Sequence, residues 1–358
     1  MSAEGTLKST VRVSRNAPCP VCAHADWCLV ARNRAYAICM RVESRQPARS
    51  AAGGWVHLLR HAAKAIPRRT GDSTCALVAS LQRRDRVYEA LLSLLKLEPE
   101  HQRQLERRGL SAPAIVSCCY RTLPAAGRRR ICRQVVSAHA CDLRGVPGFW
   151  RECPSGIDGW RLTGSAGLLI PVRGPDGLVA ALQTRRDSCE AGPRYVWLSS
   201  AGMPEGTGSG APCHLAQPCA GVIDERLWVT EGALKADIAA ELLGADVIGM
   251  PGAGAWRSGL DLASRIRPGK GAIVVAYDMD FRTNPQVARH RDDLVCAAGR
   301  QGWDVHLAEW QGGKGVDDAL AAGISLHVAP ARILSRTVHY VERRLLPKRT
   351  LIIGKGNG

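Results

Sequence analysis

From residue 226 onward, apolar runs and helix-length amphipathic stretches alternate along the chain. The runs RLWVT, ADVIGM, AIVVAYD and WDVHLAE have the length and composition of strands. A helix over 233–243 is closed by Gly244, a second falls near 258–267, and a third is opened by Asn284 and Pro285. This alternation predicts a mainly parallel α/β sheet with helices on both faces. At about 145–225 the pattern is β-rich instead. In GLLIPVRGPDGLVAALQTRRD, Gly174, Pro175, Asp176 and Gly177 separate two apolar runs, which predicts a hairpin. Before it lies a helical stretch in which Pro99 starts a helix, Gly109 closes it, and Ser111 with Pro113 opens another. Nearest the amino terminus, short β-type runs bounded by turn residues predict a small ribbon. The expected organisation is a flexible N-terminus (1–17), a ribbon (18–62), a basic linker and helical region (63–144), a β-rich subdomain (145–225), an α/β domain (226–325) and a carboxy-terminal appendage (326–358).

A length of 358 residues is enough for two or three cores. Lys and Arg number 49 against 32 Asp and Glu, and the formal net charge of +17 favours a polyanionic partner, with nucleic acid the first candidate. Arg83, Arg84, Arg86, Arg103, Arg107, Arg108, Arg128, Arg129 and Arg130 form a belt suited to tracking phosphates. The plainer alternative is arginine spread over solvated helix faces. Fourteen cysteines would fit a disulfide scaffold in a short secreted chain. Here the chain is long and shows no signal-type apolar segment, so reduced thiols in the cytoplasm are expected. No apolar run approaches the roughly twenty residues of a membrane span.

Cys19 and Cys22 form a Cys-x-x-Cys knuckle, followed by Cys28 and Cys39 after five and ten intervening residues. Four thiolates enclose zinc tetrahedrally and hold together a unit too small for its own core. The second pair departs from the usual double knuckle, so Cys28 and Cys39 have to meet across adjacent strands; His24 is a substitute ligand. Arg32, Arg34, Arg41 and Arg45 make the ribbon basic, and Trp27 and Tyr36 offer either stacking surfaces for unpaired bases or the core of the ribbon itself.

Three acids stand where apolar strands run out: Glu231 in WVTEGALK, and Asp278 and Asp280 in AIVVAYDMD. Acids at the carboxyl ends of parallel strands lie at the ligand-binding edge of an open α/β sheet. In an extended segment, a spacing of two projects Asp278 and Asp280 the same way. Gly232 permits a tight turn after Glu231, and the helix that follows begins at Ala233. Three converging carboxylates suit Mg2+ or Mn2+ and phosphate chemistry. Each acid alone has a dull reading as a turn or cap residue.

On these residues the chain resembles the Toprim domain shared by bacterial-type primases, topoisomerases, recombination mediators and certain nucleases, over about 226–325. Glu231 matches the Toprim glutamate, and Asp278 and Asp280 its Asp-x-Asp pair. The resemblance implies that these acids bind divalent metal and support phosphoryl transfer. GGKGVDDAL looks like the polar turn closing primase-type Toprim domains, making Asp317 and Asp318 secondary acidic candidates, with capping of a final helix as their alternative. One departure stands out: primases usually carry an acid four residues after the Toprim glutamate, whereas this chain has Lys235 there and Asp237 two further on. A lysine at that place grips phosphate but weakens a nearby metal site.

The stretch GLLIPVRGPDGLVAALQTRRD with PRYVWLSS resembles the hairpin upstream of the Toprim in primase cores, which implies that Arg185 and Arg186 face template or nucleotide phosphates. Through GVPGFW, WLSSAGMPEGTGSGAPCHLA and TEGALKADIAAELLG, residues 100–325 look most like primase-like Toprim proteins of mobile elements. Primases of this type also begin with a zinc ribbon. The implied function is metal-dependent nucleotidyl transfer on single-stranded DNA from nucleoside triphosphates, with a replicative helicase supplied in trans. The alternatives are a non-catalytic DNA-binding accessory protein of recombination or replication, and a metal-dependent nuclease.

Overall fold

The computed structural model describes residues 10–332 except 15, 33, 43, 45, 47, 49–53, 60–76, 140–141, 153–158 and 189–192. Most of the N-terminal stretch and of the appendage, together with Arg45, therefore lie outside the described residues. The amino-terminal unit is an antiparallel ribbon in the order β1 (Thr10–Arg12), β2 (Leu29–Ala31), β3 (Tyr36–Cys39) and β4 (Trp55–Leu58).

The middle unit comprises α1 (Leu81–Leu94), α2 (Pro99–Arg107), α3 (Ala112–Ser117), β5 (Arg121–Leu123), α4 (Arg128–His139), β6 (Phe149–Arg151), β7 (Trp160–Leu162), β8 (Gly167–Arg173), β9 (Val179–Arg186) and β10 (Tyr195–Trp197). Its antiparallel sheet runs β10-β9-β8-β5, and β6 with β7 forms a separate hairpin. The predicted β8–β9 hairpin is present, turning through Gly174–Gly177. Strand β8 is buried on both faces, as a central strand must be. Leu169 packs with Val87, Leu91 and Val135 of α1 and α4, while Leu168, Ile170 and Val172 pack with Leu105 and Ile115 of α2 and α3. The stretch read from sequence as a basic, partly linking region thus supplies helices to this core. Ser80 caps α1 by accepting from the Arg83 N–H, and Ser111 caps α3 through the Ala114 N–H.

The third unit contains β11 (His214–Ala216), β12 (Asp224–Glu231), α5 (Ala233–Leu243), β13 (Ala245–Met250), α6 (Trp256–Ile266), β14 (Ala272–Val275), α7 (Pro285–Arg300), β15 (Asp304–Glu309), α8 (Val316–Ala321) and β16 (His327–Pro330). Its sheet runs β11-β13-β12-β14-β15-β16, with the four inner strands parallel and the two edges antiparallel. Both edge strands come from outside the 226–325 span. Helices cover both faces as the alternation predicts: α6 and α7 pack on Leu227, Val229, Ile273 and Val275, while α5 and α8 pack on Trp228, Val247 and Val274. Gly244 ends α5 in the left-handed conformation, and Asn284 caps α7.

Helix α5 joins the two larger units. Ala236, Ala239 and Ala240 face the third unit's sheet, while Ala233, Leu234 and Ile238 enter the apolar cluster of the middle unit. Burying Leu234 and Ile238 contributes about 3–6 kcal/mol, comparable with the whole net stability of a domain, so the units fold as partners. A polar latch lies in the same interface. Tyr120 donates to Asp237 Oδ2 at 2.5 Å, His214 Nε2 bonds Asp237 Oδ1 at 2.8 Å, and His214 Nδ1 receives the Arg173 backbone N–H at 2.9 Å. With Nδ1 accepting, the ring proton lies on Nε2 and both Asp237 oxygens receive donors. Asp237→Ala would strand a buried hydroxyl and a buried imidazole N–H. The expected loss is about 2–4 kcal/mol, read as a lowered urea midpoint; Tyr120→Phe should cost about half as much.

Candidate functional site

Strand β12 delivers Glu231 to the carboxyl edge of the sheet, and Gly232 at φ +87° turns the chain directly into α5. That turn is crowded by β13: a Cβ on Gly249 would sit 2.8 Å from the Gly232 carbonyl oxygen and 2.9 Å from Ala236 Cβ. Strand β14 ends at Val275, and the Ala276 N–H bonds the Val229 carbonyl at 2.9 Å, which keeps the chain beside β12 as it leaves the sheet. Buried Tyr277 then anchors the segment by donating to the Ala253 carbonyl at 3.1 Å. Asp278 precedes a 3-10 turn, Met279–Arg282, that contains Asp280. The extended Asp-x-Asp expected from sequence is therefore corrected: a turn aims the pair, and the pleat plays no part. Arg291, 4.0 Å over the Phe281 ring and 2.7 Å from Glu309, holds that turn from below. The three acids are brought together, one carboxylate oxygen each of Glu231, Asp278 and Asp280 lying within 4.8 Å of the others.

Like charges this close need compensation. Two lysines supply it. Lys235 Nζ bonds both Asp278 oxygens, at 2.6 Å for Oδ2, and Lys314 Nζ lies 2.9 Å from Asp280 Oδ2 and 3.7 Å from Asp278 Oδ2. Lys314 was not singled out by sequence reasoning, although GGKG marked its turn. Its ammonium pKa is raised by the hydrogen bond to Asp280. Glu231 Oε2 accepts the Ala253 N–H at 3.1 Å, whereas Glu231 Oε1 and Asp280 Oδ1 are buried with no hydrogen-bond partner among the described residues. Burial and then the neighbouring Asp278 push the Glu231 carboxyl up to about 7. Two orphaned buried oxygens amid three carboxylates fit a hard divalent cation.

Asp317 and Asp318, in the first turn of α8, stand outside this cluster. Asp317 is instead buried in an ion pair with Arg108, burial pushes its carboxyl up, and Gly315 occupies the cap position. Asp237, in the latch, is likewise not a site acid. Arg185 and Arg186 end β9. Arg185 donates to the neutral Gln104 side chain at 2.6 Å, and burial together with Arg194 depresses its guanidinium. Much of the arginine belt is engaged structurally: Arg83 pairs with Asp142, Arg103 and Arg107 with Glu100, Arg129 with Glu152, and Arg84 and Arg128 bond the Ala180 and Gly164 carbonyls.

The four cysteines of the ribbon converge as the spacing predicts. Leu29 pairs with Ile38, so Cys28 and Cys39 stand opposite each other with sulfurs 3.9 Å apart, and Cys22 Sγ lies 3.7 Å from Cys28 Sγ. The Met40 N–H points at Cys28 Sγ, and the Arg41 and Val42 N–H groups at Cys39 Sγ, between 3.2 and 3.4 Å. Amide donors aimed at sulfur stabilise thiolates, and the set fits structural zinc. Burial pushes Cys28 and Cys39 up; at Cys22 it is outweighed by the His24 amide and the neighbouring thiols, which lower it to about 6. His24 stands outside the converging set of four, and its Nδ1 bonds the Cys22 carbonyl at 2.7 Å. Trp27 is 55% exposed and available for stacking, while Tyr36 is buried in the ribbon's own core. Gln286, near the start of α7, donates to the Met40 carbonyl and so touches the loop that follows Cys39.

No family description matches this sequence, and no curated protein does. Solved structures do resemble the fold. The zinc-binding and RNA polymerase domains of the Aquifex aeolicus primase superpose with a TM-score of 0.51 at 12% identity, covering 75% of this chain and 66% of that one. The RNA polymerase domain of the Mycobacterium tuberculosis primase DnaG gives 0.49 at 15% identity, over 68% and 82%, and a DNA primase domain from Pseudomonas aeruginosa gives 0.47 at 13%, over 72% and 82%. The fold assignment rests on the first. This chain has a primase-type α/β fold with a four-cysteine cluster near its amino terminus. Among the described residues, no helix is long and apolar enough to cross a membrane.

Purified protein is expected to carry about one zinc per chain, and Cys28→Ser or Cys39→Ser should bring the zinc measured by mass spectrometry to near zero. A second expectation concerns pH. Because the native Glu231 carboxyl titrates near 7 instead of 4.5, the folded state holds a proton that the unfolded state has released. Its stabilising contribution is complete below about 4.5 and is lost as pH rises through about 7. Without added divalent cation, the melting temperature of wild type relative to Glu231→Gln should therefore fall between these limits.

Proposed function

We propose that this chain is a primase-like nucleotidyltransferase acting on single-stranded DNA, and that residues 226–325 are a Toprim domain. The observation that carries the reading is the convergence of Glu231, Asp278 and Asp280 at the carboxyl edge of parallel strands, in a chain whose fold matches that of a primase. Glu231, Asp278 and Asp280 would hold Mg2+ or Mn2+. Bound there, such an ion supplies charge stabilisation for attack of a 3′-hydroxyl on a nucleotide α-phosphate. The protein's own part is positional and electrostatic. Glu231 must shed its proton to act as a ligand, which the low exposure of Oε1 resists and a neighbouring cation favours. Arg185 offers a guanidinium fork whose present hydrogen bond goes to an amide, and it can turn that fork to the triphosphate or the template. Arg186, half-buried at the same strand end, extends that basic surface. The zinc ribbon presents the template, with Trp27 as a stacking platform. This role places the protein in the cytoplasm, in replication of a chromosome, plasmid or mobile element, with a replicative helicase acting in trans.

One observation favours a second reading. The ion pairs from Lys235 and Lys314 neutralise most of the acidic charge without any metal, as a non-catalytic DNA-binding accessory protein would allow. A primer-synthesis assay with labelled nucleotides on single-stranded DNA separates the readings. Wild type should give labelled oligomers, and Asp278→Ala with Asp280→Ala should reduce them on the order of a hundredfold or more at unchanged DNA affinity. Arg185→Ala should raise the nucleotide KM on the order of tenfold. DNA binding with no oligomers from wild type would establish the accessory role, and shortened template would establish a nuclease.

A further inference from the structure

Lys235 enters the acidic site from the first turn of α5, with its stem laid against Gly315: a Cβ there would lie 3.3 and 3.4 Å from Lys235 Cε and Cδ. Thus supported, its ammonium group engages both oxygens of Asp278, which is itself buried. Asp278 therefore has no oxygen free of lysine. The acceptors that stay open are Glu231 Oε1 and Asp280 Oδ1, both out of solvent contact and unpartnered among the described residues. Lys314 differs from Lys235 in being 63% exposed, its ammonium group held by contacts with Asp280 and Asp278.

We infer that Lys235 stands in the place of a second cation, so that the acidic site, with Glu231 Oε1 and Asp280 Oδ1 as its open acceptors, would hold a single divalent ion. The inference rests on the metal-binding reading of this site and adds its stoichiometry. Charge balance supports it. Three carboxylates and two ammonium groups leave a net charge near −1, enough to attract one divalent ion but not two at such short range. Lys235, fixed and partly buried, remains paired when the ion enters. Lys314 is the displaceable partner, since its exposed ammonium group would be free to meet a phosphate wherever a cation held Asp280 in its stead.

The test counts Mn2+ bound by the zinc-loaded full chain, following free Mn2+ by electron paramagnetic resonance. Wild type should bind one Mn2+, and Glu231→Gln should lose it. Lys235→Met frees Asp278 and should tighten binding on the order of tenfold, while Lys235→Glu should raise the count to two. Lys314→Met, at an exposed position where folding is not at stake, should tighten binding severalfold with the count unchanged. Two Mn2+ in wild type would overturn the inference and leave the primase reading standing, as would wild-type count and affinity in a Lys235→Met protein of unaltered melting temperature. No Mn2+ in wild type would overturn both. One ion with the expected lysine effects, but no labelled oligomers on single-stranded DNA, would uphold the inference and remove primer synthesis.

Discussion

Helix α5 has scarcely a side facing water, and most of the molecule is arranged around that fact. Its alanines lie on the third unit's sheet while Leu234 and Ile238 fill the middle unit, so a single helix is the shared wall of two cores. A helix hydrophobic on nearly all sides is stable only when enclosed. The Asp237 latch sets the orientation of that wall through directional bonds to Tyr120 and His214. Glu231 lies one glycine before the helix and Lys235 in its first turn, so both inherit their positions from this enclosure. The site is thereby built on an enclosed helix, which suits chemistry that requires fixed charges.

Charge at the sheet edge is arranged in pairs of unequal firmness. Lys235 with Asp278 and Arg108 with Asp317 are partly or wholly buried, whereas Lys314 reaches the acids from solvent. Buried pairs of this kind contribute little net stability, since desolvation offsets attraction. They do fix geometry, because breaking one leaves an uncompensated charge in a low-dielectric setting. The acids are thus held together before any ion or phosphate arrives. The overall positive charge of the chain is less concentrated than composition implies, for many arginines are committed to local carboxylates and carbonyls.

The ribbon follows different physics. It is small, and its interior is divided between the four sulfurs with Val13 and a compact apolar cluster of Ala31, Tyr36 and Ile38. Zinc ligation would add to that hydrophobic burial. The contact between Gln286 and the Met40 carbonyl brings the ribbon's metal loop to the helix that follows the acid pair, so the two candidate metal centres are joined through one short path of chain.

Local signals were sufficient for a good part of this molecule. Helix caps at Ser111, Asn284 and Gly244, the β8–β9 turn, the cysteine spacing and the strand-end placement of Glu231 and Asp278 are each encoded within a few residues, and each is realised. The rest depended on distant partners. Arg108 and Asp317 meet across 209 positions and Lys235 and Asp278 across 43, so no local pattern could separate a site acid from a paired one. Likewise β11 and β16 are too short to declare themselves and become strands only because the sheet offers open edges. Propensity and periodicity, acting over one or two turns, were enough to mark the longer helices, the inner strands, the β8–β9 hairpin and the positions of the candidate ligands. Tertiary structure alone decided which charges neutralise one another and which oxygens remain open, because those depend on packing between segments far apart in the chain.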